Sequence, residues 1–183
     1  MILVHGAANS GRVWTFWQDE LARHGWSSHA IDLRGHGTSA AADLAITRMA
    51  DYADDVIAFA RTLRQAPVLV GWSMGGLVAM MAAMPCNARA CVGLAPSTPA
   101  RAFDASVALR TGVFGPEEYG ITGRDPDRQP SMAERYDDDL PFSADHFEAD
   151  GATHWGLVLN RRVVPRIGSV VSSWLEKNSR LPK

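Results

Sequence analysis

Pro67-Val68-Leu69-Val70-Gly71-Trp72-Ser73-Met74-Gly75-Gly76 is the stretch on which the fold turns. An apolar run that reads as a buried strand meets a serine with glycine two positions before and two positions after it, and a small-residue helix begins at once (Leu77 to Met84). A strand that turns this sharply into a helix crowds its own Cβ atoms, and glycines at those offsets remove the atoms that would collide. The serine is then carried at the apex, which is the geometry of a nucleophile elbow. The helix behind it aims unpaired N–H groups at the place where an oxyanion would form.

Outward from the elbow, short apolar runs alternate with helical patterns, as in a mostly parallel α/β sheet with helices on both faces. Upstream, Ile2 to Val4 reads as a first strand ending at His5-Gly6. Trp14, Trp17 and Leu21 recur at helical spacing, with Gly25 placed to stop that helix. Trp26 to Leu33 reads as a second strand closed by Arg34-Gly35-His36-Gly37, and Tyr52, Val56, Phe59 and Leu63 form the apolar stripe of a helix. Downstream, Ala90 to Ala95 is a strand and Asp145 to Ala149 a short strand candidate. Val163, Ile167, Val170 and Trp174 mark a terminal helix that must hold Pro165 in its first turn. Residues 1–183 thus read as one domain, with 97–140, rich in proline, acids and arginine, as a lid or irregular loop insertion.

The 183 residues are 46% hydrophobic and 21% charged, with a net charge of −2. That balance, without any Lys/Arg block, argues against nucleic acid as a partner. No segment approaches the roughly 20 apolar residues of a bilayer span. The start, Met1-Ile2-Leu3-Val4-His5-Gly6, lacks the look of an export leader, so a cytoplasmic location is expected. Cys86 and Cys91 lack the spacing of a zinc site and read as reduced, structural thiols; no metal or cofactor is called for.

Ser73 needs a base. His154, in Asp150-Gly151-Ala152-Thr153-His154-Trp155-Gly156, follows the last strand candidate and precedes the terminal helix, which is where a histidine acting after the nucleophile in chain order belongs. The loop His5-Gly6-Ala7-Ala8 supplies the Ala7 N–H as one oxyanion donor, and Met74 N–H is the other. His36 suits a structural role in its glycine-rich turn. His24, His29 and His146 have no motif around them.

His5-Gly6, Asp32-Leu33-Arg34-Gly35-His36-Gly37, Gly71-Trp72-Ser73-Met74-Gly75-Gly76 and Gly151-Ala152-Thr153-His154-Trp155-Gly156 together resemble, in order and spacing, the α/β-hydrolase superfamily of esterase and lipase type. The resemblance implies Ser73 as nucleophile, His154 as base and Ala7 and Met74 as oxyanion donors. It departs from the family in two places. The sheet is expected to be shortened at its N-terminal edge, and on one reading it lacks a strand before the histidine strand, because no good apolar run lies between Pro99 and Phe142. The triad acid should follow such a strand; Asp127 is the nominal choice, with Asp125, the Asp137-Asp138-Asp139 run, or no acid at all as alternatives.

The expected function is a serine hydrolase that cleaves an ester, thioester or related acyl bond of a small to medium, apolar substrate. Trp14, Trp17, Trp72 and Trp155 would lie near the mouth of its site or pack in the core. An aspartate-dependent dehalogenase or epoxide hydrolase is disfavoured by serine at position 73. The rival reading is a catalytically impaired protein that binds a ligand or partner, or a truncated form without the acid.

Overall fold

The computed structural model describes residues 1–97 and 144–179. The 97–140 insertion, with Asp125, Asp127 and Asp137 to Asp139, lies outside the described residues apart from its first position.

Four strands, β1 (Ile2–Val4), β2 (His29–Ile31), β3 (Val68–Trp72) and β4 (Ala90–Leu94), form a parallel sheet in the order β2-β1-β3-β4 among the described residues. Helices α1 (Thr15–Arg23), α2 (Met49–Ala60) and α3 (Met74–Ala83) are the crossovers, and α4 (Gly156–Leu159) and α5 (Val163–Asn178) follow. The central strands are buried on both faces, so they carry unbroken apolar runs rather than alternation. Side chains still alternate between two cores. Leu3, Val68, Val70 and Trp72 face α1 and α5, packing on Trp14, Trp17, Leu21 and Ile167. Ile2, Val4 and Leu69 face α2 and α3, packing on Tyr52, Val56, Val78 and Ala79.

The strand order explains that division. The chain steps outward from β1 to β2, then back across β1 to β3 and on to β4. Right-handed crossovers in opposite directions place their helices on opposite faces. Between β1 and β3 the direction reverses, and the connections leaving the two C-terminal ends diverge. A crevice opens at such a switch point, the place where open α/β sheets bind ligands.

Several boundaries differ from the sequence reading for identifiable reasons. β2 covers only His29–Ile31 rather than 26–33. Leu33 leaves the ladder because its N–H donates to the His5 ring (3.1 Å). α2 opens with the Asp51 carboxylate accepting the Arg48 N–H (2.7 Å) and closes at Ala60, so Leu63 packs from the following turn. Gly25 stops α1 with φ +79°, as expected. No strand forms at 145–149; Asp145 instead accepts the Trp174 indole N–H (2.6 Å), which ties the segment to α5. Pro165 does fall in the first turn of α5, but the buried face runs through Val164, Ile167, Val171 and Leu175, with Val170 and Trp174 on its flank. The tryptophans Trp14, Trp17 and Trp72 are core residues, 0–1% exposed, and do not line a mouth.

Candidate active site

At the end of β3 the backbone of Ser73 adopts φ 56°, ψ −125°, a conformation that costs a non-glycine residue about 1–3 kcal/mol. Its peptide groups are held on every side. The Ser73 N–H donates to the Leu94 carbonyl (3.0 Å), and the Ser73 carbonyl accepts from Gly76 N–H (2.9 Å) and Ser97 N–H (3.0 Å). A Cβ on Gly71 would drive into the Gly75 carbonyl, and one on Gly75 into the Val4 and His5 carbonyls. Ser73 occupies the N-cap position of α3, where serine ordinarily caps, yet its side chain makes no capping bond. The half-buried hydroxyl is therefore not spent on its own helix. Met74 is the first residue of α3, so its N–H has no acceptor within the helix and sits at the positive end of the dipole.

The second wall comes from the loop after β1. A Cβ on Gly6 would lie 2.9 Å from the Trp72 ring and 3.1 Å from the Ser73 Cβ, so only glycine lets this backbone approach the serine so closely. Ala7 follows it at the surface, its carbonyl accepting the Asn9 amide (2.8 Å) while Ala8 turns with φ 53°. His5 anchors the loop from inside the protein. Its Nε2 faces the Leu33 N–H and must accept, so Nδ1 carries the proton and donates to the Gly6 carbonyl (2.7 Å). Burial depresses the His5 pKa, and the nearby His36 adds to the effect; the Gly6 carbonyl and Asp32 oppose it. The ring is neutral and structural.

His154 packs against the residue next to the serine. The Trp72 indole N–H donates to the His154 carbonyl (3.0 Å), and the two rings pack with centroids 5.0 Å apart and planes tilted by 39°. Trp155 packs edge-on against the same indole at 4.7 Å. Thr153 Oγ1 accepts the Gly156 N–H (3.0 Å), at the start of α4 two residues after the histidine. Met74 and the Gly6 backbone thus adjoin Ser73 at the C-terminal end of β3, and His154 packs on the Trp72 ring beside it. The nominal acid, Asp127, lies outside the described residues.

His24, His29 and His36 are accounted for locally. His36 Nδ1 donates to the Arg34 carbonyl (3.0 Å) and its ring lies 5.0 Å from that of His5, the structural role expected of it. His24 pairs with Glu20 (3.1 Å), and His29 packs on Phe59. Sequence reasoning missed Asp32, whose carboxylate accepts Gly11 N–H (2.6 Å), Thr38 N–H (2.7 Å) and the Thr38 hydroxyl (2.9 Å). Desolvation would raise its pKa, but these bonds together outweigh that and hold it below the ordinary aspartate value. It pins both loops that flank the crevice. The available signal was an aspartate ending a strand just before a Gly-x-Gly-Thr turn. Arg34 clamps the same turn to α2 through Asp55, with Nε and Nη2 each bonded to the carboxylate (2.9 and 2.7 Å).

Cys86 and Cys91 are free thiols, and burial pushes Cys91 up to about 12. Among the described residues no group of three or more His, Cys, Asp or Glu is arranged to hold a metal ion. Nor is any helix among them long and apolar enough to cross a membrane.

A pimeloyl-[acyl-carrier protein] methyl ester esterase of Aliivibrio fischeri (strain MJ11) is 36% identical over 87 residues, which cover 46% of this chain and 30% of that protein. The protein of the same name from Proteus mirabilis (strain HI4320) is 32% identical over 117 residues, 62% of this chain and 42% of that one. The matches span less than half the length of either relative. Among solved structures, a methylesterase from Arabidopsis superposes with a TM-score of 0.48 at 24% identity, covering 54% of this chain and 43% of that one. The family model described as the Alpha/beta hydrolase family matches residues 1–178, nearly the whole sequence, and the chain belongs to that family.

Proposed function

We propose that the protein is a serine hydrolase that cleaves an ester or related acyl bond through an acyl-enzyme on Ser73. The observation that carries this reading is the backbone of Ser73, strained, fixed by its neighbours and with a side chain that makes no capping bond. Strain that persists where the surroundings over-determine it marks a functional position, and an uncapped serine at a helix N-terminus is placed for attack on an electrophile.

In the reaction Ser73 Oγ attacks the carbonyl carbon while His154 takes the hydroxyl proton. The developing oxyanion is met by the N–H groups of Ala7 and Met74, which approach from the two backbones that Gly6 allows to converge. His154 then returns the proton to the leaving alcohol, and water releases the acyl group by the same steps in reverse order. The ester-cleaving names of the relatives, taken with family membership, favour an ester as the scissile group. A carboxylate from the 97–140 segment, Asp127 by the sequence reading, would orient His154.

The test is labelling of Ser73 by a fluorophosphonate together with hydrolysis of a chromogenic short-chain ester. Ser73→Ala should abolish labelling and reduce kcat by about 10⁴-fold or more, with His154→Ala close to it, since members of such a unit fail together. An unlabelled, inactive wild-type protein would overturn this reading and leave its rival, a ligand- or partner-binding protein or a truncated form without the acid.

A further inference from the structure

A groove of about 510 Å³ runs along the loop that follows the proposed oxyanion donor, lined by Ala8, Asn9, Ser10, Arg12, Gly37 and Leu159. Most of its lining comes from the two loops that Asp32 pins, Ala8 to Arg12 on one side and Gly37 on the other, and the first of these loops carries Ala7. Its walls are mixed. Ala8 and Leu159, the latter 45% exposed, offer apolar surface for a short methylene chain.

Among the described residues Arg12 is the only charged one on that lining, and it has no carboxylate partner there. Asp32, the carboxylate that holds the adjacent Gly11 N–H, is occupied by two backbone N–H groups and a hydroxyl and does not line the groove. Arg161 is engaged over the Phe16 ring at 4.8 Å. The Arg12 backbone is nonetheless fixed: the Gly11 N–H is held by Asp32, and the Arg12 carbonyl accepts the Thr15 hydroxyl (2.8 Å). A rigidly based, unpaired guanidinium beside a short apolar wall is what recognises a carboxylate at the end of a carbon chain. Ser10 adds a hydroxyl that makes no capping bond to the turn it precedes.

Building on the serine hydrolase reading, we propose that Arg12 selects substrates that carry a free carboxylate, half-esters of short dicarboxylic acids, by binding that carboxylate in the groove beside Ala8. Arg12 is a specificity residue and takes no part in bond cleavage, so its removal changes which ester is preferred while leaving the neutral reaction intact.

The experiment compares mono-p-nitrophenyl glutarate with p-nitrophenyl valerate, of matched chain length, for wild type, Arg12→Gln and Arg12→Glu. Arg12→Gln should lower kcat/KM for the glutarate ester by about tenfold, the scale of one charge-assisted hydrogen bond, through KM and without change for the valerate ester. Arg12→Glu should lower it further. Glutarate itself, titrated calorimetrically into Ser73→Ala, should bind, and about tenfold more weakly when Arg12→Gln is added. An unchanged glutarate-to-valerate ratio with unchanged glutarate binding overturns the proposal. Glutarate binding that depends on Arg12 in a protein that cleaves neither ester would uphold the groove and sink the serine hydrolase reading; neither binding nor cleavage would sink both.

Discussion

His5 should make the fold sensitive to mild acid. The side chain is 0% exposed, and its Nε2 accepts the Leu33 N–H while Nδ1 donates to the Gly6 carbonyl. A second proton would have to go on Nε2, where it would confront the Leu33 N–H, donor against donor, inside the protein. Burial accordingly lowers the folded-state pKa below the ordinary value of 6.5. The sign follows from linkage: below 6.5 the unfolded chain takes up a proton that the folded chain refuses. The His5 contribution is therefore whole above pH 6.5 and declines as the pH falls below it, by at most about 1.4 kcal/mol per pH unit for one proton. Urea unfolding followed by tryptophan fluorescence at pH 8, 7, 6 and 5 measures this, with His5→Gln as the reference that cancels the other titrating groups. The variant should be less stable at pH 8 by about 1–3 kcal/mol, the cost of disturbing a buried N–H and its acceptor, but its stability should fall less steeply between pH 6.5 and 5. Equal slopes for the two proteins would refute both the tautomer and the argument from burial.

Two further substitutions test the site as a construction of close backbones. Gly75→Ala places a Cβ against the Val4 and His5 carbonyls, neither of which can move without breaking β1 out of the sheet. A loss of about 3 kcal/mol is expected, read by calorimetry as a Tm lower by about 6–12 °C for a chain of this size; Gly25→Ala, with nothing within 4 Å of its Cβ, should cost less than half of that despite its positive φ. Trp72→Phe removes the indole N–H that holds the His154 carbonyl. On the serine hydrolase reading kcat for a chromogenic ester should drop by about tenfold with KM little changed, because binding is untouched while the base loses its position; an unchanged kcat would show that the 150–155 loop is held by other means.

The elbow was legible because each of its residues answers to a local constraint: an apolar strand, a turn too tight for Cβ atoms, a helix start. Pro165 and Gly25 were readable for the same reason, since each restricts its own backbone. What escaped notice depends on partners far away in sequence. The early end of β2 follows from Leu33 bonding to His5, 28 positions earlier, and the absence of a strand at 145–149 goes with Asp145 bonding to Trp174, 29 positions later. Asp32 looked like one polar residue in a turn, because its acceptors' worth depends on Gly11 lying 21 positions before it. The tryptophans stayed open between two roles, because an aromatic stripe looks the same in sequence whether it lines a mouth or, as with Trp14 and Trp17, fills a core.

The strain at Ser73 and the sheet order are two sides of one arrangement. A conformation costing about 1–3 kcal/mol persists only if what surrounds it offsets that amount. Three hydrogen bonds of 2.9 to 3.0 Å reach the Ser73 peptide groups, one to Leu94 at the end of β4, one from Ser97 beyond it and one from Gly76 in α3. At about 0.5–1.5 kcal/mol net each, they are of the right size. Two of the three involve β4 and the residues just after it, and β4 lies beside β3 only because the chain, after reversing at β1, continues in the same direction. The other neighbour, β1, delivers Gly6 to the Ser73 Cβ. Exchanging either neighbour for another strand would leave the serine unsupported on one side or without its facing backbone on the other. The position of the hydroxyl is therefore a property of the sheet order as much as of the six residues around it.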